Sequence, residues 1–262
     1  MPEQQPLAIG VSLKMYFGHQ QTLDWVRTVS DIAAHHPAVT SGAVDLFIVP
    51  SFPVLVESID LLAGTNVEVG AQDLSWEDAG AFTGEVSGSE LVEIGCTLVE
   101  IGHAERRRLF AETDAIVSRK TVAAYRNALT PLLCIGEQLE QSPADAAAEC
   151  LRQVDAALAD SRAAGLTGPL LIAYEPQWAI GAEEPADAAY IDEAVTVIRS
   201  ALIADAALAG SRVIYGGSAG PGLLGQLDGA VDGLFLGRFA HNPAALEAIL
   251  DEALTLAEGV PA

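Results

Sequence analysis

The chain alternates short apolar segments with longer amphipathic ones. The apolar segments are rich in Val, Ile and Leu without strict alternation, which is typical of parallel strands that are covered on both faces. This pattern predicts eight strands: Leu7–Ser12, Val44–Pro50, Val67–Gln72, Thr97–Gly102, Pro131–Gly136, Leu170–Glu175, Arg212–Gly216 and Gly233–Gly237.

The segments between the predicted strands have helical character. Residues 142–164 are rich in alanine and begin with Ser142 and Pro143, a typical N-cap and first-turn pair. Residues 186–209 repeat apolar positions at three- and four-residue spacing, and Asn242 precedes a final helix. About eight strand–helix units in one chain, with no linker-like segment, predict an α/β fold of the (β/α)8 barrel type. A doubly wound sheet is the structural alternative, although it usually has fewer units or an added domain.

Charge and cysteine content narrow the functional classes. The 262 residues carry a formal net charge of −23, which argues against nucleic acid or an anionic membrane surface as a partner. No apolar run reaches the roughly 20 residues of a membrane span, and the N-terminus does not resemble a signal peptide. Cys96, Cys134 and Cys150 contain no Cys-x-x-Cys pair, which argues against a disulfide framework or a zinc ribbon. We therefore expect a cytoplasmic protein.

Polar residues and glycines follow several predicted strands, where a barrel of this kind carries its active site. They are Ser12 and Lys14 after the first strand, His103 and Glu105 after the fourth, Glu175 after the sixth, Gly217 and Ser218 after the seventh, and Gly237 and Arg238 after the eighth. A lysine, a histidine, a carboxylate at Glu175 and two glycine-rich turns are thus expected at one mouth. The two glycine-rich turns suit phosphate binding through backbone N–H groups.

Glu175 is the candidate general base. It precedes Pro176 and a long apolar loop, and burial under such a loop raises the basicity of a carboxylate and excludes water. An ion-paired structural glutamate is the alternative interpretation. A glycosidase is another, and it needs a second carboxylate, for which Glu100 is the nearby candidate.

His103 is the candidate electrophile. It begins a predicted helix, whose dipole disfavours the charged ring, and a neutral imidazole can donate a hydrogen bond to a carbonyl oxygen. A capping or core histidine is the alternative. His103 and Glu105 have the spacing of a deaminase zinc motif, but the Cys-x-x-Cys that completes the motif is missing. We therefore expect no metal and no cofactor. Lys14 is the candidate source of a positive charge at the site; a solvated surface lysine is the alternative.

Several motifs in order resemble the triosephosphate isomerase family from about residue 7 to residue 254. They are LKM around Lys14, WEDAGAFTGEVS at 76–87, IGHAERR around His103, CIGE at 134–137, AYEPQWAIG around Glu175, and YGGS at 215–218. The resemblance implies a single TIM-barrel domain over residues 1–262 and a phosphorylated small sugar as substrate. It also implies site roles: Glu175 as base, His103 as electrophile, Lys14 as electrostatic partner, and Gly181, Ser218 and Gly237 around the phosphate. Triosephosphate isomerase is itself the known example of a glutamate base beside a neutral histidine, so these roles come from the family.

The family also implies a homodimer in which the loop from Trp76 to Gly88 reaches the partner, with Thr83 bordering the partner's site.

The chain departs from the family pattern around the substrate. Ser12 replaces an asparagine, Ala104 a serine and Arg238 a glycine, while Glu100 stands at a usually apolar position and the loop after Glu175 ends in Ala182-Glu183-Glu184-Pro185. Arg238 keeps a backbone donor and brings its side chain close to the anion site. This pattern is similar to the branch of the family that acts on four-carbon keto-sugar phosphates, the L-erythrulose-1-phosphate isomerases. We expect the shorter side chain of Ser12 to provide some of the space that a fourth carbon needs. A triosephosphate isomerase is the alternative, followed by a non-catalytic barrel that only binds sugar phosphates.

Overall fold

The computed structural model describes residues 5–259, and its centre is a closed barrel of parallel strands paired in chain order. The strands are β1 Leu7–Ser12, β2 Val44–Val49, β3 Glu68–Ala71, β4 Leu98–Ile101, β5 Thr130–Ile135, β6 Leu171–Tyr174, β7 Arg212–Tyr215 and β8 Gly233–Leu236. Pairing of β1 with β8, through Ala8 opposite Gly233, closes the ring. The expected (β/α)8 barrel is confirmed. The two ends of the expected 1–262 domain, residues 1–4 and 260–262, lie outside the described residues.

Helices surround the barrel. They are α1 His19–His35, α2 Pro37–Thr40, α3 Leu55–Leu62, α4 Gly88–Ile94, α5 Ala104–Phe110, α6 Asp114–Arg126, α7 Pro143–Ala163, α8 Ala188–Ala204, α9 Leu223–Leu227 and α10 Pro243–Ala257. As predicted, Ser142 caps α7 and Asn242 caps α10. Helix α8 is shorter than the predicted 186–209 because Asp187 caps its start and Asp205 ends it. Within the described part of the chain, no helix is long and apolar enough to cross a membrane.

The strands separate two apolar layers. The larger layer lies between strands and helices, and the smaller one fills the barrel interior: Ala8, Phe47, Val49, Leu98, Leu132, Cys134, Leu171, Ala173, Ile214 and Phe235. Gly10 has no side chain because the ring of Phe47 occupies the space that a Cβ atom would need. Successive strand residues alternate between the two layers, so Ser12 and Glu100 share the interior face with Ala8 and Leu98. This places both polar side chains near the carboxyl ends of the strands.

Candidate active site

A cavity of about 320 Å³ opens at the carboxyl ends of the strands. Seven of the predicted site residues line it: Ser12, Lys14, Glu175, Gly181, Ser218, Gly237 and Arg238. The eighth, His103, is buried against Glu175, with 3.6 Å between its Nε2 and Glu175 Oε2. The structure thus brings these eight residues together, although the chain separates them by up to 226 positions, from Ser12 to Arg238.

Glu175 lies directly after β6 and is almost fully buried. Its backbone N–H donates to the carbonyl of Ile135, which fixes the start of the loop. Gly216 leaves room for the carboxylate, since a Cβ at that position would lie 2.7 Å from Glu175 Oε1. Burial raises the pKa of Glu175, and the nearby His103 and Lys14 only partly oppose this effect. A carboxylate with raised basicity suits proton abstraction from carbon.

His103 caps helix α5 through its own ring. Nδ1 accepts a hydrogen bond from the backbone N–H of Glu105 at 3.1 Å. A ring nitrogen that accepts a hydrogen bond carries no proton, so the proton of the neutral ring lies on Nε2. Among the described residues, neither His103 Nε2 nor Glu175 Oε2 has a hydrogen-bond partner. Both buried atoms are therefore available to a substrate.

A buried ion network supports the position of His103. The N–H of Gly102, the preceding residue, donates to Glu112 Oε1 at 3.1 Å. The other oxygen of Glu112 pairs with Arg106 and with Lys120, and both cations also pair with Asp73. The network therefore connects the loop that carries His103 to α6.

Lys14 lines the cavity, and its backbone lies in the left-handed region at φ +47°. Its Nζ pairs with Glu105 Oε1 at 2.8 Å, and Gln72 Nε2 donates to its carbonyl. Burial lowers the pKa of Lys14, but the hydrogen bond to Glu105 and the charges of Glu175, Glu105 and Glu100 outweigh this and raise it. Lys14 is therefore a fixed positive charge beside the cavity.

The lid side of the cavity, where Gly181 lies, carries backbone donors and a second cation. Gly181 N–H lies 3.1 Å from Ser218 Oγ, and the same hydroxyl is close to the carbonyls of Ala179 and Ala182. Gly237 begins a short helical turn, and Arg238 Nη2 lies 3.5 Å from the carbonyl of Gly181. Residues 176–186, which we name the lid loop, are thus connected to the turns after β7 and β8.

The lid loop is anchored at both ends. At its start, Trp178 Nε1 donates to Glu137 Oε1 at 2.8 Å, and the hydroxyl of Tyr190 donates to the same oxygen. At its end, the N–H of Ala186 donates to the hydroxyl of Tyr215. Burial raises the pKa of Tyr215 beyond its usual range, so this hydroxyl stays neutral. The segment between the anchors includes Ile180 and Gly181, which line the same cavity as Glu175.

Three further charged groups lie at the site, and only Arg108 among them was absent from the sequence analysis. Glu105 pairs with Lys14, and the exposed Arg108 also lines the cavity. The third is Glu100, whose Oε2 accepts from Ser12 Oγ at 3.1 Å and whose Oε1 lies 3.9 Å from His103 Nε2. Strand alternation places Glu100 on the barrel interior, but the continuous apolar run around it concealed this signal. The carboxyl group of Glu100 thus lies directly beside Ser12, at the position where the family has the larger asparagine.

Comparison with known proteins identifies the family. The family model described as triosephosphate isomerase matches residues 7–253. The chain belongs to the triosephosphate isomerase family. The L-erythrulose-1-phosphate isomerase of Pectobacterium atrosepticum is 56% identical over 95% of this chain and 96% of its own length. The protein of that name from Rhizobium etli is 43% identical over 89% and 87%, and the triosephosphate isomerase of Moorella thermoacetica is 40% identical over 82% and 88%.

Solved structures agree with this family assignment. The crystal structure of triosephosphate isomerase from Bartonella henselae superimposes with a TM-score of 0.78 at 30% identity, covering 94% of this chain and 98% of that one. The family and its named relatives make the chain an isomerase that moves a carbonyl within its substrate. The glycosidase alternative is therefore wrong, and so is the non-catalytic barrel.

Proposed function

We propose that this member of the triosephosphate isomerase family converts L-erythrulose 1-phosphate to D-erythrulose 4-phosphate. The observation that carries the proposal is the 56% identity to a relative with that activity in its name, over nearly the full length of both chains. Triosephosphate isomerisation is the second candidate, favoured by the 40% identity to the Moorella enzyme.

The proposed reaction moves one proton between neighbouring carbons. Glu175 removes the proton from C3, the C–H electrons form a C2–C3 double bond, and the carbonyl oxygen on C2 becomes negatively charged. His103 donates its Nε2 proton in a hydrogen bond to this oxygen, and Lys14 stabilises the charge. After the hydroxyl proton passes between the two oxygens, Glu175 returns its proton to C2 and the carbonyl forms on C3. Glu175 Oε2 and His103 Nε2, which have no hydrogen-bond partner in the part of the chain that the structure describes, support these roles.

In the proposal, the phosphate binds at the end of the cavity formed by Gly181, Ser218, Gly237 and Arg238, and Ser12 contacts the sugar. Backbone N–H groups at the start of a helical turn suit an anion, and Arg238 adds a charge-assisted contact. These local donors offset the repulsion between a phosphorylated substrate and a chain of net charge −23.

We further propose a cytoplasmic homodimer. The loop from Trp76 to Gly88 is closed at its base by the Ser75–Ser87 bridge, and Thr83 and Phe82 are exposed on it. Met15, next to Lys14, is 92% exposed, which is unusual for a large apolar side chain beside a buried site. A second copy covering these residues accounts for their exposure. The three free cysteines are all buried, in keeping with a reducing compartment.

The test is to measure kcat/KM for L-erythrulose 1-phosphate and for glyceraldehyde 3-phosphate with the same enzyme preparation. We expect the four-carbon substrate to be preferred by at least about tenfold, which corresponds to roughly 1.4 kcal/mol of transition-state binding. A tenfold preference for glyceraldehyde 3-phosphate would instead assign the chain to the second candidate.

A further inference from the structure

Glu100 is a buried carboxyl group that the proposed proton transfer does not use. It is only 4% exposed, and its strand neighbours Leu98 on the same face and Val99 on the other are apolar. Among residues 5–259, the side chains that hydrogen-bond to Glu100 are the hydroxyl of Ser12 and the thiol of Cys134, neither of which is a cation. Burying a charge without a cationic partner is costly, so a purely structural role does not explain a glutamate here.

The surroundings of Glu100 favour its neutral form. Burial raises its pKa to about 7; the negative charge of Glu175 adds to this, while His103, Lys14 and the Ser12 hydrogen bond lower it. The groups that face it are Ser12 and Lys14 from the β1 side, Cys134 from β5, His103 after β4 and Glu175 after β6. A neutral carboxyl both donates and accepts hydrogen bonds.

Glu100 lies near the part of the site where we expect the end of the substrate that carries no phosphate. Its Oε1 is 3.9 Å from His103 Nε2, which is itself 3.6 Å from Glu175 Oε2. Ser12, its hydrogen-bond partner, lines the cavity, while the proposed phosphate donors Gly181 and Arg238 belong to the lid loop and the turn after β8. For a sugar whose phosphate lies at those donors and whose reacting carbons lie beside Glu175 and His103, the cavity wall at Ser12 is the place for the remaining carbon.

We propose that Ser12 and Glu100 form a hydroxyl-binding subsite that selects a substrate with a terminal CH2OH beyond the reacting carbons. This inference rests on the proposed function and specifies how the site distinguishes four carbons from three. The terminal hydroxyl of the substrate donates a hydrogen bond to one of these two side chains and accepts one from the other, so Ser12 and Glu100 each gain a hydrogen-bond partner. A three-carbon sugar phosphate has no such hydroxyl and leaves the pair as it is. A site built to bind a substrate hydroxyl discriminates more strongly than one that only provides space.

The first test is Glu100→Leu, which removes both hydrogen-bonding atoms from the subsite. We expect kcat/KM for L-erythrulose 1-phosphate to fall by about 10- to 100-fold, the range for leaving a substrate hydroxyl without its partners, while kcat/KM for glyceraldehyde 3-phosphate stays within about threefold. Glu57→Leu, at an exposed glutamate of α3, is the matched control and changes neither value. Equal losses on both substrates, or no loss on either, would overturn the proposal.

The second test, Glu100→Gln, keeps the shape and most of the hydrogen bonding, so it also serves if the leucine variant fails to fold. It is expected to retain the preference for four carbons to within about tenfold. In the wild type, ionisation of Glu100 places a negative charge beside the developing oxyanion. Turnover of the four-carbon substrate therefore falls as pH rises through about 7, and this fall is absent in Glu100→Gln. Identical pH profiles for the two proteins would overturn the proposal.

The two proposals fail in different ways. Wild-type rates alone test the proposed function, whereas the ratio of the two kcat/KM values in the Glu100 variants tests the subsite. If the wild type prefers the four-carbon substrate and Glu100→Leu has the same preference, the subsite proposal is wrong and the proposed function still holds.

Discussion

Lys120 provides the sharpest test of the buried ion network behind His103. Its side chain is 3% exposed and pairs with Asp73 and with Glu112, two carboxylates that are also buried. Lys120→Met keeps most of the length of the side chain but removes its ammonium group, leaving both carboxylates with one cation fewer. Breaking a buried ion pair in this way costs about 3–5 kcal/mol. Arg106 still pairs with both carboxylates, so we expect the lower end of that range, about 3 kcal/mol.

The assay is unfolding by urea and by heat, at one fixed protein concentration. For a chain of this size, a loss of about 3 kcal/mol corresponds to a decrease in Tm of roughly 6–12 °C. Arg27→Met is the matched control because the Arg27–Asp24 pair lies on the surface, and it should cost at most about 0.5 kcal/mol. A loss below about 1 kcal/mol for Lys120→Met would refute the reasoning that the network is buried and dependent on this lysine.

The pH dependence of this loss has a definite sign. Burial raises the pKa of Glu112, but Lys120 and Arg106 outweigh it and lower the pKa below its unfolded value of about 4.5. The stabilisation from this carboxylate is therefore present above pH 4.5 and is lost as pH falls through the lowered folded pKa. Without Lys120 the pKa of Glu112 rises, so the difference in free energy of unfolding between wild type and variant narrows in acid.

Two further predictions concern the site itself. In a carbon-13 NMR titration, the Glu175 carboxyl, assigned by its disappearance in Glu175→Gln, should titrate above pH 4.5 because burial raises its pKa; a midpoint at or below 4.5 would contradict this. Arg238→Met should raise KM for the phosphorylated substrate by roughly 10- to 100-fold, the range expected for losing a hydrogen bond to a charged group, with Arg27→Met unchanged. An unaltered KM in Arg238→Met would place the guanidinium away from the phosphate.

Much of the fold follows from local sequence patterns. Strand β1 has the predicted bounds 7–12, and the caps of α7 and α10 are those expected from Ser142 and Asn242, because apolar runs and capping residues act over a few positions. Helix α8 ends early because Asp205 stops the helix and caps a short turn instead, a choice that apolar spacing alone does not reveal.

The residues of the site could be predicted from the sequence, but most of the contacts between them could not. Because the carboxyl ends of all the strands meet at one face of a barrel, residues that follow the strands were expected to converge, and they do. The contact between Ser218 and the lid loop joins residues 36 to 39 positions apart, and that between Ser12 and Glu100 joins residues 88 apart. No local pattern specifies such pairs. They depend on the packing of the closed barrel.

The central claim is that Glu175 moves a proton between neighbouring carbons, and isotope exchange tests it most directly. Wild type and Glu175→Gln are incubated with L-erythrulose 1-phosphate in deuterated water, and the loss of the C3 proton signal is followed by NMR. We expect the variant to exchange this proton at least about 100-fold more slowly, while its affinity for inorganic phosphate stays within a few-fold. Exchange in Glu175→Gln within tenfold of the wild-type rate would contradict the account.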